Sequence, residues 1–322
     1  MVWTTLHAKI HRTIRSRHLF ERQQRLLVGV SGGQDSLCLI KILLDLQSKW
    51  GWRLGIAHCD HRWRSDSQAN ATHVENLAQN WGVSFYLETA NAPVNSEAAA
   101  RNWRYAALIA IAQAHDYQYI VTGHTASDRA ETLLYNLIRG TGADGLQALT
   151  WQRPLTPDIG LVRPLLEITR KETGQFCQEF NLPIWEDSTN YDVKYARNRI
   201  RQELIPYLQD NFNPQAELAL AQTAELLQAE VEFLEKAAQE LREAAMKDTS
   251  SVILNRRVLQ TAPLALQRRV MRQVLQELLP DAPNFEHIEK LTALITAPNR
   301  SQTDPFPGGA IAQVQGEWIY LK

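Results

Sequence analysis

Little in this chain of 322 residues suits a secreted or membrane-spanning protein. No apolar run approaches the ~20 residues that cross a bilayer. The opening Met1-Val-Trp-Thr-Thr-Leu-His7 lacks the apolar centre of a secretion signal, so a cytoplasmic protein with no membrane partner is expected. Cysteine is scarce: Cys38, Cys59 and Cys177 stand apart without a C-x-x-C pair. That spacing argues against a disulfide framework, a zinc ribbon or a cysteine-held iron–sulfur cluster. All three sit in apolar surroundings and read as small core residues. Internal repeats and low-complexity tracts are also absent. Net charge is only −1, so no global field draws a polyanion, yet the charge is uneven. Lys9, Arg12, Arg15, Arg17, Arg22 and Arg25 face the single acid Glu21, further basic clusters lie at 194–201, 256–257 and 268–272, and 217–243 is rich in glutamate. Such local positive faces suit a polyanion partner and equally suit ordinary solvated helix faces.

The stretch that organises the chain is Arg25-Leu-Leu-Val-Gly-Val-Ser-Gly-Gly-Gln-Asp-Ser36, followed by the apolar run 37–46. Leu26, Leu27, Val28 and Val30 fit a strand buried on both faces of a parallel sheet. Gly32 and Gly33 permit a sharp turn with bare backbone amides, and Ser36 falls where a helix begins. Strand, glycine turn and helix N-terminus together form an anion site. A P-loop would need a lysine beside the phosphates; this loop offers Asp35 instead. A carboxylate beside a polyphosphate calls for a divalent cation between them, so Mg²⁺ is expected. The S-G-G-x-D-S pattern resembles the pyrophosphate-binding loop of the ATP pyrophosphatases. The structural alternative is a serine-rich turn before a core helix.

Residues 3–22 read as an amphipathic helix. Strands are expected at 53–58, 83–87 and 119–122, and helices at 70–81, 96–115 and 128–139. This alternation predicts an α/β fold: a parallel sheet with helices on both faces and ligands at the carboxyl ends of its strands. Prolines 154, 157 and 164 punctuate a loop region, helices follow at 168–180 and 195–208, and Asn211-Phe-Asn-Pro214 marks a boundary. The expected division is a catalytic domain over 1–211 and, over 212–322, a long helix with a small helical, α+β appendage. That helix could pack within a monomer or against a twin, which leaves a homodimer open.

The residues just after the strands carry the chemistry. His58-Cys-Asp-His-Arg-Trp-Arg64 follows the second strand; its histidines lack companions at zinc-ligand spacing, and nucleotide contact is the better reading. Arg101, Arg104 and Tyr105 share a helix face, where Arg101 either pairs with Glu97 in a surface salt bridge or stabilises phosphate charge. Thr122-Gly-His124 is followed by Asp128 and Glu131, three apart in an expected first helical turn. These two form a capping box with Asp128 as cap, hold Mg²⁺, or grip a cationic substrate.

Taken together, several motifs make the match specific: Ser31–Ser36; Ala57-His-Cys-Asp-His61; Glu97–Arg101 with Arg104-Tyr105; Gly123-His124 with Asp128 and Ala130-Glu-Thr132; Arg139-Gly-Thr-Gly142; Arg163-Pro-Leu-Leu166; Asp187-Ser-Thr-Asn190; and Arg197-Asn-Arg-Ile-Arg201. In this order they resemble the tRNA(Ile)-lysidine synthetases, of the PP-loop ATP pyrophosphatase superfamily, with an adenine nucleotide alpha hydrolase-like fold. The resemblance covers roughly the first two-thirds of the chain. It implies that ATP adenylates the C2 oxygen of cytidine 34 in a tRNA(Ile) with a CAU anticodon. Free L-lysine then displaces AMP through its ε-amine. It implies ATP contacts from Ser31, Gly32, Gly33, Gln34, Asp35, Ser36, His58 and His124, and Mg²⁺ on Asp35 and Asp128. Catalytic roles fall on Asp35, Arg101, Asp128, Glu131 and Arg197, with Asp128 and Glu131 either sharing the metal or meeting the lysine. Trp63 or Tyr105 could receive the unstacked base. Thr125 stands where the family often has a second histidine, so no role is carried onto it. Two alternatives remain: a tRNA 2-thiolation enzyme of the same superfamily, disfavoured by the isolated cysteines, and a nucleotide-binding protein without turnover.

Overall fold

The computed structural model describes residues 2–62, 66–92, 96–186, 192–246 and 252–322. Trp63, Arg64 and the Asp187–Asn190 motif lie outside the described residues, as does the Glu97 side chain on which the Arg101 salt bridge depends.

The chain begins with α1 (Thr5–Ser16), which stops before the expected residue 22. His18 turns to a φ of +50° and the Leu19 amide reaches back to the Ile14 carbonyl at 3.1 Å. This closes the helix and lets Leu19 and Phe20 drop into the core. There follow β1 (Arg25–Gly29), α2 (Gln34–Trp50), β2 (Arg53–Asp60), α3 (Ser67–Asn80), β3 (Ser84–Thr89), α4 (Glu97–Ala114), β4 (Tyr119–Thr122) and α5 (Ala126–Ile138). After the short α6 (Ala143–Leu146), the proline-punctuated region expected as loop contains β5 (Gln152–Pro154) and β6 (Gly160–Val162).

The strands form one six-stranded sheet in the order β3-β2-β1-β4-β6-β5. All neighbours are parallel except β5 against β6, so the expected parallel sheet carries one antiparallel edge. Val28 sits opposite Ile56 on one side and Val121 on the other. Alternate residues of β1 feed two cores, as strand geometry requires. Leu26 and Val28 pack with Leu39, Leu43 and Phe176, and Leu27 packs with Leu108, Ile111 and Ala112 of α4. From β1 the chain runs to β2 and β3 on one side of the sheet and to β4 and β6 on the other. The switch point therefore lies between the ends of β1 and β4, where an open α/β sheet forms its ligand crevice.

Beyond the sheet come α7 (Arg170–Glu179), α8 (Ala196–Arg199), a widened π turn (Ile200–Leu204), α9 (Ile205–Asn211) and α10 (Ala216–Ala245). Packing divides the chain into two units, Met1–Leu227 and Gln228–Lys322. The division falls inside α10, whereas the boundary expected from sequence, 211/212, precedes that helix. In the second unit β7 (Ile253–Asn255), α11 (Arg256–Gln260), α12 (Leu264–Leu278), α13 (Phe285–Ala293), β8 (Ala312–Gln315) and β9 (Trp318–Leu321) follow in order. Its antiparallel sheet, β7-β9-β8, encloses a core that includes Val270, Met271, Leu275, Val314 and Ile319.

Candidate active site

The turn after β1 is held from several directions. The Ser36 hydroxyl donates to the Gly33 carbonyl at 2.9 Å and receives the Ser31 amide at 3.2 Å. Asn70 Nδ2, from α3, donates to the Ser31 carbonyl at 3.0 Å, and the Trp185 amide donates to the Gly32 carbonyl at 2.9 Å. Gly32 has a φ of +87°, and a Cβ there would lie 2.5 Å from Asn70 Oδ1, so both conformation and space require glycine. No side chain caps α2 at Gly33. Its first-turn amides and the positive end of its dipole therefore face the crevice as an anion site.

Across the switch point, Gly123 lets β4 approach the start of α2. A Cβ there would stand 2.9 Å from the Asp35 carbonyl oxygen. The cap of α5 differs from expectation. Thr125, to which no role was assigned, is the N-cap, and Asp128 is the acid that reaches back, with its Oδ2 accepting the Thr125 amide at 2.8 Å. A capping box spans three residues from cap to acid, so a cap at Thr125 leaves Glu131 outside it. Glu131 lies in the second turn, its side chain only 3 % exposed, and accepts two bonds from Arg201, at 2.7 and 2.9 Å. Arg201 stands on the π turn, a geometry often kept for functional positions.

Arg170, the first residue of α7, ties three acids together. Its Nε donates to Asp35 at 3.0 Å, one terminal nitrogen to Asp128 at 2.8 Å and the other to Glu131 at 3.2 Å. Thr173 also donates to Asp35 Oδ1. The Gln34 side chain is spent on α7, on the Arg170 carbonyl at 2.7 Å and Thr173 Oγ1 at 3.1 Å. Three carboxylates thus face two guanidiniums, leaving one negative charge uncompensated. Burial raises the Asp35 pKa against the opposing pull of Arg170, and the neighbouring Asp128 adds to the rise. For Asp128 burial also acts upward, but Arg170, His124 and the Thr125 capping bonds outweigh it and bring the carboxyl below its ordinary value.

A cleft of about 350 Å³ opens at this point, lined among others by Ser31, Asp35, Ser36, His58, His124, Asp128, Asn70, Arg104 and Arg170. His58 is fixed by its Nδ1 on the Val30 carbonyl at 2.8 Å. Burial, then Arg163, pushes the His124 pKa down to about 3, so the ring is neutral at physiological pH. Asn70 Oδ1 is buried with no partner among the described residues, an acceptor at the cleft wall still short of a donor.

The structure therefore brings together Ser31, Asp35 and Ser36 of the glycine turn with His58, His124 and Asp128 at the cleft, whereas Gly32, Gly33 and Gln34 do not line it. Glu131 is buried and does not line the cleft. Arg101 and Arg197 do not line it either: Arg101 lies 5.9 Å from the Tyr105 ring and Arg197 5.8 Å from the Tyr135 ring. Sequence reasoning gave no site role to Arg170 or Asn70, nor to Arg201, although Arg201 closes the Arg197–Arg201 motif. The one hint for Arg170 was its position, a cation at the positive end of a helix where the dipole disfavours it. Arg104 is turned to His61, donating to Nε2 at 2.9 Å.

No group of three or more His, Cys, Asp or Glu side chains suited to a metal occurs among the described residues. Two carboxylates at the cleft, Asp35 and Asp128, nonetheless fit Mg²⁺, which is typically held by one or two carboxylates together with substrate phosphates and water.

A strand, a glycine turn without a phosphate-binding lysine, and an acid at the start of the next helix define the class. The family model of the PP-loop domain matches residues 3–208, and that of the TilS substrate binding domain matches 254–318. The chain is 81 % identical over 335 aligned residues to a tRNA(Ile)-lysidine synthase of Nostoc sp., covering 100 % of this chain and 98 % of that one. It is 51 % identical to the Synechocystis sp. tRNA(Ile)-lysidine synthase, covering 99 % and 98 %. The U34-tRNA thiolase NcsA from Methanococcus maripaludis shares the fold, with a TM-score of 0.59, 15 % identity, and 69 % and 77 % coverage. The chain is thus a PP-loop, ATP-using enzyme. It belongs to the tRNA(Ile)-lysidine synthase family.

Proposed function

We propose that the enzyme uses ATP to attach free L-lysine to C2 of cytidine 34 of a tRNA(Ile) with a CAU anticodon, releasing AMP and pyrophosphate. The observation that carries this reading is the meeting of Ser31, Asp35 and Ser36, at the glycine turn, with Asp128 at one cleft. The turn and the α2 amides receive the outer phosphates of ATP. Asp35 and Asp128 would hold Mg²⁺, which when bound neutralises the pyrophosphate leaving group. His58 and neutral His124 line the nucleotide side.

Glu131 keeps Arg170 and Arg201 in place rather than touching metal or lysine. The excess negative charge of the cluster favours approach of the ammonium substrate. Arg101 and Arg197, which do not line the cleft, serve RNA phosphate or the adenylate only if they swing from their aromatic partners. No helix among the described residues is long and apolar enough to cross a membrane, in keeping with a cytoplasmic tRNA enzyme.

Sulfur chemistry is disfavoured by the cysteines. Cys38 and Cys177 are buried, and burial drives their thiol pKa values upward, that of Cys177 to about 12. Cys59 likewise rises to about 12. A pyrophosphate-release assay with ATP, bulk bacterial tRNA and each amino acid in turn tests the proposal. Pyrophosphate release that requires tRNA, with AMP set free only when lysine is also present, supports it; turnover with a sulfur donor and none with lysine overturns it.

A further inference from the structure

Arg170 holds a position that its own helix disfavours. It is the first residue of α7, where the dipole and the free amides repel a cation, yet its guanidinium contacts an acid with each of its three nitrogens. The backbone there does not depend on that side chain. The Arg170 amide donates to Ser127 Oγ at 2.9 Å, its carbonyl receives Gln34, and Thr169 with Glu172 caps the helix.

The three acids differ in what would remain without the guanidinium. Glu131 keeps its two bonds to Arg201. Asp128 keeps its capping bonds from Thr125 but, as a cation, only a distant 3.8 Å approach of Arg201, and Asp35 keeps the Thr173 hydroxyl and the Gln34 side-chain amide and no cation. The two acids that would lose their neutralising charge are the two that line the cleft. The Arg170 side chain is itself 27 % exposed there, so a path outward exists.

We propose that Arg170 is a built-in substitute cation. Its guanidinium bridges Asp35 and Asp128 and offsets one of their two charges, and it yields them to the divalent cation that arrives with ATP. The exchange keeps the free enzyme from taking up metal alone and couples metal binding to nucleotide binding. Arg170 is a positioning residue in this scheme, acting through the two carboxylates. The inference rests on the reading of Asp35 and Asp128 as the metal-holding pair.

The test is Mn²⁺ binding to the full chain, followed by the loss of the free-ion electron paramagnetic resonance signal, without nucleotide and then with ATP. Arg170→Gln and Arg170→Met remove the charge and are expected to bind Mn²⁺ without nucleotide at least about tenfold more tightly than the parent. The gain is expected to vanish when Asp35→Asn is added. Arg170→Lys keeps a charge but gives up the three-way fork and gains less. It carries the same test if the neutral variants fail to melt cooperatively. Equal Mn²⁺ affinity in parent and all variants, with Mn²⁺ binding in the presence of ATP still dependent on Asp35, overturns the exchange alone. If Mn²⁺ binding with ATP is indifferent to Asp35 in every protein, the metal-holding pair itself is wrong and the proposal falls with it.

Discussion

Arg170 Nε and Asp35 Oδ2 lie 3.0 Å apart although 135 positions separate the two residues in the chain. That contact joins the start of α7 to the start of α2, and through Asp128 to the start of α5, so three helix N-termini converge on one cleft. Three positive dipole ends favour a highly charged anion there, the uncapped first-turn amides of α2 are the ones left to bind it, and the acids among them favour a cation beside it.

Asp35→Asn removes the charge nearest the glycine turn while leaving its shape. AMP formation is expected to fall by at least about a hundredfold, with an unchanged melting temperature, because the proposed metal site would lose one of its two anionic ligands. Near-normal AMP formation in this variant would show the metal argument wrong.

Gly123→Ala tests the close approach of β4 to α2. The added Cβ would meet backbone only 2.9 Å away, and backbone cannot step aside as a flexible side chain does. A destabilisation of about 1–3 kcal/mol is expected, together with weaker ATP binding in calorimetry. Unaltered stability and affinity would mean that the two segments are looser than described.

Glu131→Gln probes an acid buried among arginines. Its side chain is 3 % exposed and satisfies Arg201 and Arg170 at once, so its loss is expected to cost about 2–4 kcal/mol in denaturant unfolding. As an organiser of the arginines it is expected to raise the KM values for ATP and lysine together. A rise confined to lysine would instead make it a direct substrate contact.

The pH dependence follows from His124 and Glu225. His124 has a folded pKa below its ordinary 6.5, so the unfolded chain binds the proton first. Its contribution to stability is present above pH 6.5 and is lost as pH falls below that value, with a slope of at most about 1.4 kcal/mol per pH unit. Glu225 accepts bonds from buried Arg129, from Trp151 at 2.7 Å and from Arg17 at 2.7 Å. Burial acts upward on its carboxyl, but Arg129 leads the interactions that hold it below its ordinary 4.5. The stability it contributes is therefore present above pH 4.5 and is lost as pH falls through the depressed value. His124→Gln is expected to flatten the unfolding free energy between pH 6.5 and 5, and Glu225→Gln to flatten it only below 4.5. Curves parallel to the parent's would contradict both assignments.

Local signals revealed much of this molecule. The apolar strand before Ser31, the glycines after it and the alternation of strands and helices located the sheet and the phosphate turn, because those features depend on neighbours in sequence. The edge strand β5 and its neighbour β6 were hidden because each is only three residues long, the first ending in Pro154. Thr125 was passed over because a cap is recognised by its spacing to the acid, and both Asp128 and Glu131 offered such a spacing. Arg170 looks like a surface arginine in the primary structure, and Arg201, though it closes the Arg197–Arg201 motif, shows no partner there. Only the folded chain reveals that they face acids that lie 39–135 and 70 positions away.

The most direct test is to supply the purified enzyme with ATP, Mg²⁺, isotopically labelled lysine and a tRNA(Ile) transcript bearing a CAU anticodon, then weigh the nucleoside at position 34. The expected product is a cytidine enlarged by one labelled lysine with loss of water, formed with one AMP and one pyrophosphate per event and abolished in Asp35→Asn. An unmodified position 34 alongside ATP cleavage, or label fixed in the Asp35→Asn variant, would contradict this expectation.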